Sequence, residues 1–567
     1  MRRTQPWATS AIFALILTAF IYSAYRGHTL SQAATGVVST NLGVLPYYAL
    51  RSFLRMSSAY LLSVLFALVY GTAAGLNKRL EKVLLPILDI LQSVPILGFF
   101  PAAVYFFVTL FQGRTVGVEL ASIFLIFTSQ AWNMAFGVYE AVTTVPPQMA
   151  EALDAYGVRG WLRYLRLYLP ASVPKLVYNS VVSWAAGWYF LSPAEVIGSG
   201  LLLPGLGSFA SSAAQQGRLS HTMAAVGVLV SIVVTMNIFI WRPLSLWAER
   251  FRYEFSPAGG ETGDSFAYEM WRHSGFFRML RRVFSRLLER VFGALFDLGA
   301  RLGARQDSKA RRRTYTLLKG LINLSLAGLG LYVAFSGVRA LVMLLSQPLP
   351  SEAGQIWLAL LASSLRLAVA FLISLAWTIP TAVALGHNDR LAQFLQPVLE
   401  TLAAVPATAL FPVIVYFLAT RPGGMNVASI LLVLTGMQWY LLFNTLSGVR
   451  SIPRDMKEAA RSFGLKGWLY WRRVVLPAIV PSVITGSITA IGGGWNALIV
   501  SEYVTYKHEV LKAFGIGYLL DKAVYETQNF QMVWLSLAGM VLAIFLLNHF
   551  VWRRLYDRAS VMFRMSD

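Results

Sequence analysis

Two carboxylates 307 residues apart, Glu195 and Glu502, each close an apolar run that contains Pro or Gly. An ionisable side chain at membrane depth marks a pathway or a gate. Nearer the interface the same group is hydrated or hydrogen-bonded, and both readings stay open. Neither glutamate is read as a ligand for an anion, which it would repel. Trp188 and Trp495 follow Gly187 and Gly494 within the same two runs, and Tyr189 aligns with Asn496. These positions either line a path or pack against a neighbouring helix, and packing is the commoner use of such an aromatic. Arg55 and Arg366 open two other runs. There they attract anions or, as long side chains do, snorkel to the interface.

Other chemistry lacks its residues. There is no Cys, and six His are scattered, so neither thiolate chemistry nor a metal-ligand cluster is expected. No G-x-x-x-x-G-K-[ST] loop occurs, so ATP binding through a P-loop is not expected either. The chain reads as non-catalytic by itself, with no cofactor.

The elements that must position these residues are membrane helices. Of 567 residues, 56% are hydrophobic and 13% charged, about half the charge density of a soluble protein. Runs long enough to cross a bilayer occur at Ala8–Tyr25, Ser57–Leu76, Val116–Val138, Thr222–Trp241, Leu321–Leu344, Leu358–Leu385, Val427–Leu446 and Met532–Val551. Four more are broken by Pro: Leu84–Leu110, Ser172–Ile197, Phe394–Leu418 and Ala478–Val500. The expected architecture is all-α, a polytopic membrane protein of about twelve spans. The net charge of +22 would point to nucleic acid in a soluble protein. Here the basic residues lie in loops and tails, so the positive-inside rule accounts for them and nucleic acid is not a partner. Arg2-Arg3, Lys78-Arg79, Arg472-Arg473 and Arg553-Arg554 fall on one side if each half has six spans. That places both termini in the cytoplasm. The first run is read as an uncleaved helix.

The chain repeats itself. Ser52 and Arg55 match Ser363 and Arg366, and Pro86, Pro95, Pro101 and Tyr105 match Pro397, Pro406, Pro412 and Tyr416, all at an offset of 311. After a net four-residue deletion the offset is 307. Pro146, Glu151, Gly157, Trp161, Pro170, Gly187, Trp188 and Glu195 then match Pro453, Glu458, Gly464, Trp468, Pro477, Gly494, Trp495 and Glu502. An even number of spans per copy gives the copies the same orientation, the parallel kind of repeat. The expected domains are a first repeat over 1–247, a linker over 248–315 and a second repeat over 316–567. In the linker, residues 272–313 hold 12 Arg/Lys and 3 Asp/Glu. Phe276, Phe277, Leu280, Phe284, Leu287, Leu288 and Val291 recur there at helical spacing, which reads as an amphipathic helix on the anionic inner leaflet.

One charged segment breaks each repeat at the same place: EALDAYGVRGWLRYLRLYLP at 151–170 and EAARSFGLKGWLYWRRVVLP at 458–477. Pro453 suits a helix start, Gly464 a left-handed helix end, and Trp468-Leu-Tyr-Trp471 a second helix. The result is a helix–turn–helix elbow on the cytoplasmic surface, twice per chain. An ordinary loop with interfacial anchors would explain the composition but not the recurrence.

These two segments resemble the EAA loops of the permease subunits of binding-protein-dependent ABC importers, over about residues 50–247 and 357–552. The resemblance implies a type I importer transmembrane domain built as two parallel six-helix repeats. It also implies that Glu151, Ala152, Gly157, Glu458, Ala459 and Gly464 belong to coupling helices that dock on a cytoplasmic ATP-binding cassette dimer. The first copy departs in having Leu153 where a second Ala is usual. Ser-Leu-Arg before a long span, Ala194-Glu195, Ser501-Glu502, and the Gly-x-Gly at Gly205–Gly207 and Gly515–Gly517 resemble nitrate/sulfonate/taurine-type permeases. That likeness implies an extracytoplasmic solute-binding protein, a small anionic solute such as nitrate, sulfonate, taurine or bicarbonate, and a bacterial or archaeal plasma membrane. Most permeases of that type carry one domain per chain, whereas this chain fuses two. Trp188, Glu195, Trp495, Asn496 and Glu502 are the candidate pathway or gate residues. The competing class is an ion-coupled secondary transporter with parallel six-helix halves, which predicts ionisable residues deep in the spans. A non-transporting membrane scaffold is the third, and the paired elbows speak against it.

Overall fold

A computed structural model describes residues 38–251 and 348–555 apart from 94–95, 113, 159, 198–200, 404, 419–420, 453, 507–508, 528 and 553, together with Arg339, Val342, Ser346 and Arg558. The span expected at Ala8–Tyr25, and nearly all of that at Leu321–Leu344 and of the basic linker, lie outside the described residues. Among the described residues the chain divides into two compact units, one holding 140–177, 242–251 and 348–353, the other 38–139, 178–241 and 354–555.

The described elements come in pairs. The first repeat runs α1 (Leu45–Leu76), α2 (Lys78–Ser93), α3 (Ile96–Leu110), α4 (Thr115–Thr143), α5 (Pro147–Ala155), α6 (Gly160–Arg163) and α7 (Leu169–Glu195). A short hairpin follows, β1 (Val196–Ile197) and β2 (Leu201–Leu202), then α8 (Leu206–Gln215) and α9 (Leu219–Met236). The second repeat has the same order: α10 (Ile356–His387), α11 (Asp389–Ala403), α12 (Ala407–Leu418), α13 (Gly424–Arg450), α14 (Arg454–Ser462), α15 (Gly467–Tyr470), α16 (Leu476–Ser501), β3 (Tyr503–Tyr506), β4 (Glu509–Lys512), α17 (Ile516–Asp521) and α18 (Phe530–Leu547). Each hairpin is antiparallel, and Val196 pairs with Leu202 as Tyr503 does with Lys512.

Local chemistry sets the boundaries. Asn77 and Asn388 stand at equivalent places in extended backbone and end α1 and α10. The Asn77 carboxamide oxygen accepts from Arg79 N at 2.9 Å and that of Asn388 from Leu391 N at 3.1 Å, so one residue both stops a helix and caps the next. The four interrupted runs divide two ways. Those at 172–197 and 478–500 lie on the continuous helices α7 and α16, where Pro481 stands inside a helix. Those at 84–110 and 394–418 are each split into two helices, α2/α3 and α11/α12. The second split falls across Pro406, and a residue before proline disfavours helical backbone. Seven helices among the described residues are long and apolar enough to cross a bilayer. The twelve spans expected from the sequence therefore include split helices and segments outside the described residues.

The long helices present apolar residues outward. Leu54, Leu61, Leu65 and Val69 of α1 and Leu358, Leu361, Leu365 and Leu372 of α10 are exposed, as lipid-facing stripes require. Inward faces carry small residues, which let helices approach closely. A Cβ on Gly71 of α1 would lie 2.6 Å from the Ala135 carbonyl oxygen and 2.8 Å from Val138 Cβ on α4. Gly71→Val is expected to destabilise the chain by about 1–3 kcal/mol through overpacking. Gly227→Ala on α9, where nothing lies within 4 Å of the added atom, is expected to be neutral or slightly stabilising. Thermal unfolding of both variants in lipid nanodiscs checks the contrast.

Candidate functional site

Both elbows adopt one backbone geometry. α5 starts on Pro147 and ends at Gly157, whose φ is +72°. Gly157 N donates to Asp154 O at 3.0 Å and Val158 N to Leu153 O at 2.8 Å, the paired bonds of a Schellman ending. α14 ends at Gly464 with φ +69°, and Leu465 N donates to Ala460 O at 2.9 Å. A side chain at either glycine would strain the turn. Glu151, Ala152, Glu458 and Ala459 are exposed. So are the aromatic residues at the two helix ends, Tyr156 at 85% and Phe463 at 82%.

Each elbow joins its following span through a π-helical turn, Tyr164–Tyr168 into α7 and Trp471–Val475 into α16. Pro170 and Pro477 have no N–H to give the carbonyl four residues back, so the helical ladder is interrupted at the same point twice. The second elbow rests on a buried cluster of Val383, Val449, Ile452, Val475 and Ile479, with Met456, Tyr470 and Trp471 packed against it. In the first elbow Arg163 holds Asp154 at 2.8 Å.

At the other end of α7 and α16, three short motifs that lie far apart in sequence meet. Glu195 is fully buried. Its Oε1 accepts from Ser52 Oγ and from Arg55 Nη1, both at 2.5 Å. Its Oε2 accepts from Gly207 N at 2.7 Å, in the first turn of α8, where the helix dipole also favours an anion. Ser52 Oγ accepts in turn from Leu206 N at 2.9 Å. A Cβ on Gly205 would overlap the Glu195 carboxylate. Arg55 turns its other face to Glu119 on α4, with Nε and Nη2 at 2.7 and 2.9 Å from its two oxygens. Arg51 also binds Glu119. One side-chain network thus bolts together α1, α4, α7 and α8.

The second repeat builds the same core. Glu502 accepts from Ser363 Oγ at 2.6 Å, from Arg366 Nη1, and from Gly517 N at 2.8 Å. Ile516 N donates to Ser363 Oγ at 2.9 Å. The difference lies at α13, where Asn426 stands in the register position of Glu119 and accepts from Arg366 Nε at 3.0 Å. Arg366 Nη2 donates to the Phe514 carbonyl, as Arg55 Nη2 does to that of Pro204 at 3.3 Å. Arg55 and Arg366 are buried, at 3% and 8% exposure. They do not snorkel as anchors, because a carboxylate inside the protein offers the guanidinium its charge partner.

The other sequence candidates are placed as follows. Trp188 and Trp495 are buried, and Trp188 packs edge-on against Trp184, 6.1 Å between centroids. Gly187 lies against Met56 and Gln130, and Gly494 against Leu367. Asn496 reaches across the repeats. Its Oδ1 accepts from Ile96 N at 2.9 Å, the first residue of α3, and its Nδ2 donates to Gly492 O at 3.2 Å. Glu119, Ser52 and Ser363 were not singled out as site residues by the sequence. The available signal for Glu119 was a lone acid at the start of a span, aligned with Asn426.

With two elbows, two buried ion-pair cores and paired helices throughout, the comparisons agree. The chain matches the family described as binding-protein-dependent transport system inner membrane component over residues 59–244 and again over 376–557. It belongs to that family, with the matching domain present twice. It is 29% identical over 197 residues to the nitrate import permease protein NrtB of Leptolyngbya laminosa, covering 34% of this chain and 66% of that protein. It is 32% identical over 170 residues to the bicarbonate transport system permease protein CmpB of Synechococcus elongatus, covering 30% and 57%. It is 32% identical over 173 residues to the putative aliphatic sulfonates transport permease protein SsuC of Escherichia coli, covering 30% and 62%. The matched stretch is thus less than two thirds of each relative's length.

Glu502→Gln keeps the shape of the second core and leaves Arg366 with an uncompensated buried charge. It is expected to cost about 3–5 kcal/mol, read as a lower Tm of the purified chain. Asn426→Glu, which copies Glu119 into the second repeat, is expected to raise the Tm, because it gives Arg366 a charged partner on α13.

Proposed function

We propose that this chain supplies both membrane halves of an ABC importer and that α5 and α14 are its coupling helices. The single observation that carries this reading is the duplicated elbow, with the same left-handed glycine, the same exposed Glu-Ala face and the same π-turn into the next span. The family relationship supports it. The two halves are residues 1–247 and 316–567, joined by the basic linker 248–315. Glu151, Ala152 and Gly157 in one half, and Glu458, Ala459 and Gly464 in the other, meet a separate cytoplasmic ATPase dimer.

Closure of that dimer pulls on both elbows, and the halves rock as rigid bodies about the path between them. ATP is hydrolysed by the separate chain, so this one is a transport subunit and not an enzyme. The solute arrives from an extracytoplasmic binding protein. A small oxyanion or sulfonate is the substrate class that fits relatives named for nitrate, bicarbonate and sulfonates. The protein sits in the plasma membrane with both termini and both elbows on the cytoplasmic side.

The test is co-expression with a candidate ATP-binding cassette subunit, followed by purification through this chain and ATPase assay in lipid. The native chain is expected to hold the ATPase and stimulate it. Glu151→Ala/Glu458→Ala and Gly157→Pro/Gly464→Pro are expected to lower capture or stimulation by tenfold or more. Equal capture and equal stimulation by all three would remove the coupling role of the elbows.

A further inference from the structure

Two pairs of equivalent positions carry an exchange. Under the 307-residue register, position 133 aligns with 440 and position 189 with 496. The first repeat has Asn133 on α4 and Tyr189 on α7, whereas the second has Tyr440 on α13 and Asn496 on α16. Each repeat therefore holds one Tyr and one Asn, placed on opposite helices. The backbone symmetry is kept and the chemical symmetry is broken.

The contacts show what the exchange does. The first turn of each short helix closes on the long helix of the other repeat. At one place Ile96 N of α3 donates to Asn496 Oδ1 at 2.9 Å, and at the other Thr408 Oγ1 of α12 donates to the Tyr189 carbonyl oxygen at 2.6 Å. The Asn496 carboxamide oxygen is taken up by its contact, and its Nδ2 gives one N–H to Gly492 O. At Tyr189 the backbone makes the contact, so the phenol is left over. The Tyr189 hydroxyl is buried and has no hydrogen-bond partner among the described residues.

Its ring lies by Gly436, where a Cβ would be 3.8 Å from Tyr189 Cε2. A Cβ on Gly493 would be 3.2 Å from the Gly436 carbonyl oxygen and 3.2 Å from Tyr440 Cε2. The two tyrosines therefore flank one close approach of α13 and α16. Around them, α3, α12, α16 and residues 176–194 contain no Arg, Lys, Asp or Glu.

From this geometry we infer that Tyr189 and Tyr440 form a one-sided, uncharged donor site at the seam of the repeats, which receives the oxygen atoms of the transported anion. A phenol can donate or accept, and two facts favour its donating to an anion. Two acceptors at the seam, Asn496 Oδ1 and the Tyr189 carbonyl, already have donors, and among the described residues the surrounding helices bring no carboxylate to hold a cation. A phenol donates to an oxyanion without the fixed charge that would hold it too firmly to release. The inference rests on the importer reading and names the residues that set its substrate class.

The experiment uses the full chain with its own ATPase and binding protein in cells lacking other anion importers. Uptake of labelled nitrate, bicarbonate and taurine is measured, together with ATPase capture and the Tm of the purified chain. Tyr189→Phe keeps the ring and removes the hydroxyl. A hydrogen bond to a charged group is worth roughly 10- to 100-fold in binding. Uptake of the carried anion is therefore expected to fall about tenfold or more for Tyr189→Phe, and further for Tyr189→Phe/Tyr440→Phe. ATPase capture is expected to stay as in the native chain, and the Tm to stay level or rise, because an unpaired buried hydroxyl has been removed. Uptake within twofold of native for the double variant overturns the inference while the importer reading stands, and so does a fall in uptake that only follows a fall in Tm. A native complex that holds its ATPase but carries none of the three anions overturns the substrate class and the inference together. Failure to hold the ATPase overturns the importer reading itself.

Discussion

A carboxylate and a guanidinium can be buried inside a membrane protein only if each finds the other and the remaining donors and acceptors are matched. The Glu195–Arg55 and Glu502–Arg366 cores meet that condition, and much of the described fold follows from it. The serine three residues before each arginine fills a second site on the carboxylate and takes the first N–H of the next helix. The backbone at Gly207 and Gly517 supplies another donor, and the glycines at 205 and 515 leave room for the carboxylate. The end of α7, the start of α8 and the first half of α1 are thereby fixed to one another, as are their counterparts in the second repeat. The coupling proposed for the elbows needs a fixed end of this kind on α7 and α16.

The two repeats share this scaffold and differ in its charges. The first core chains Arg51, Glu119, Arg55 and Glu195. The second replaces Glu119 by Asn426 and has Ala362 where the first has Arg51. The seam diverges as well, through Tyr189 against Asn496 and Asn133 against Tyr440. Fusion of two domains in one chain fixes which half meets which, so each can specialise while the backbone stays paired.

Much of the fold was legible in the sequence because its signals are local. Pro, Gly and Glu recur at a constant offset, and only glycine comfortably takes the left-handed turn seen at Gly157 and Gly464. The elbows follow directly from those residues. The ion-pair cores were not legible as sites, because Ser52, Glu119, Glu195 and Gly207 lie 12 to 155 residues apart and no local rule joins them. Their pieces were visible as separate short motifs, and the arginines among them read as interfacial anchors. Periodicity also misjudged the interrupted runs. A proline inside an apolar run leaves α16 continuous at Pro481, yet α11 and α12 are separate across Pro406. The outcome depends on whether the surroundings satisfy the freed carbonyl, which a linear reading does not contain.

The most direct test of the account is a double-mutant cycle on the second core in lipid nanodiscs, using Arg366→Met, Glu502→Leu and the double variant, read by reversible unfolding. Each single variant strands a buried charge and is expected to lose about 3–5 kcal/mol, whereas the double variant, with an apolar pair in place of an ion pair, is expected to recover most of that loss. A coupling energy of about 2 kcal/mol or more would establish the pair as the bolt of the repeat. Losses that simply add would contradict it, and the rigid end on which the rocking motion depends would have to be sought elsewhere.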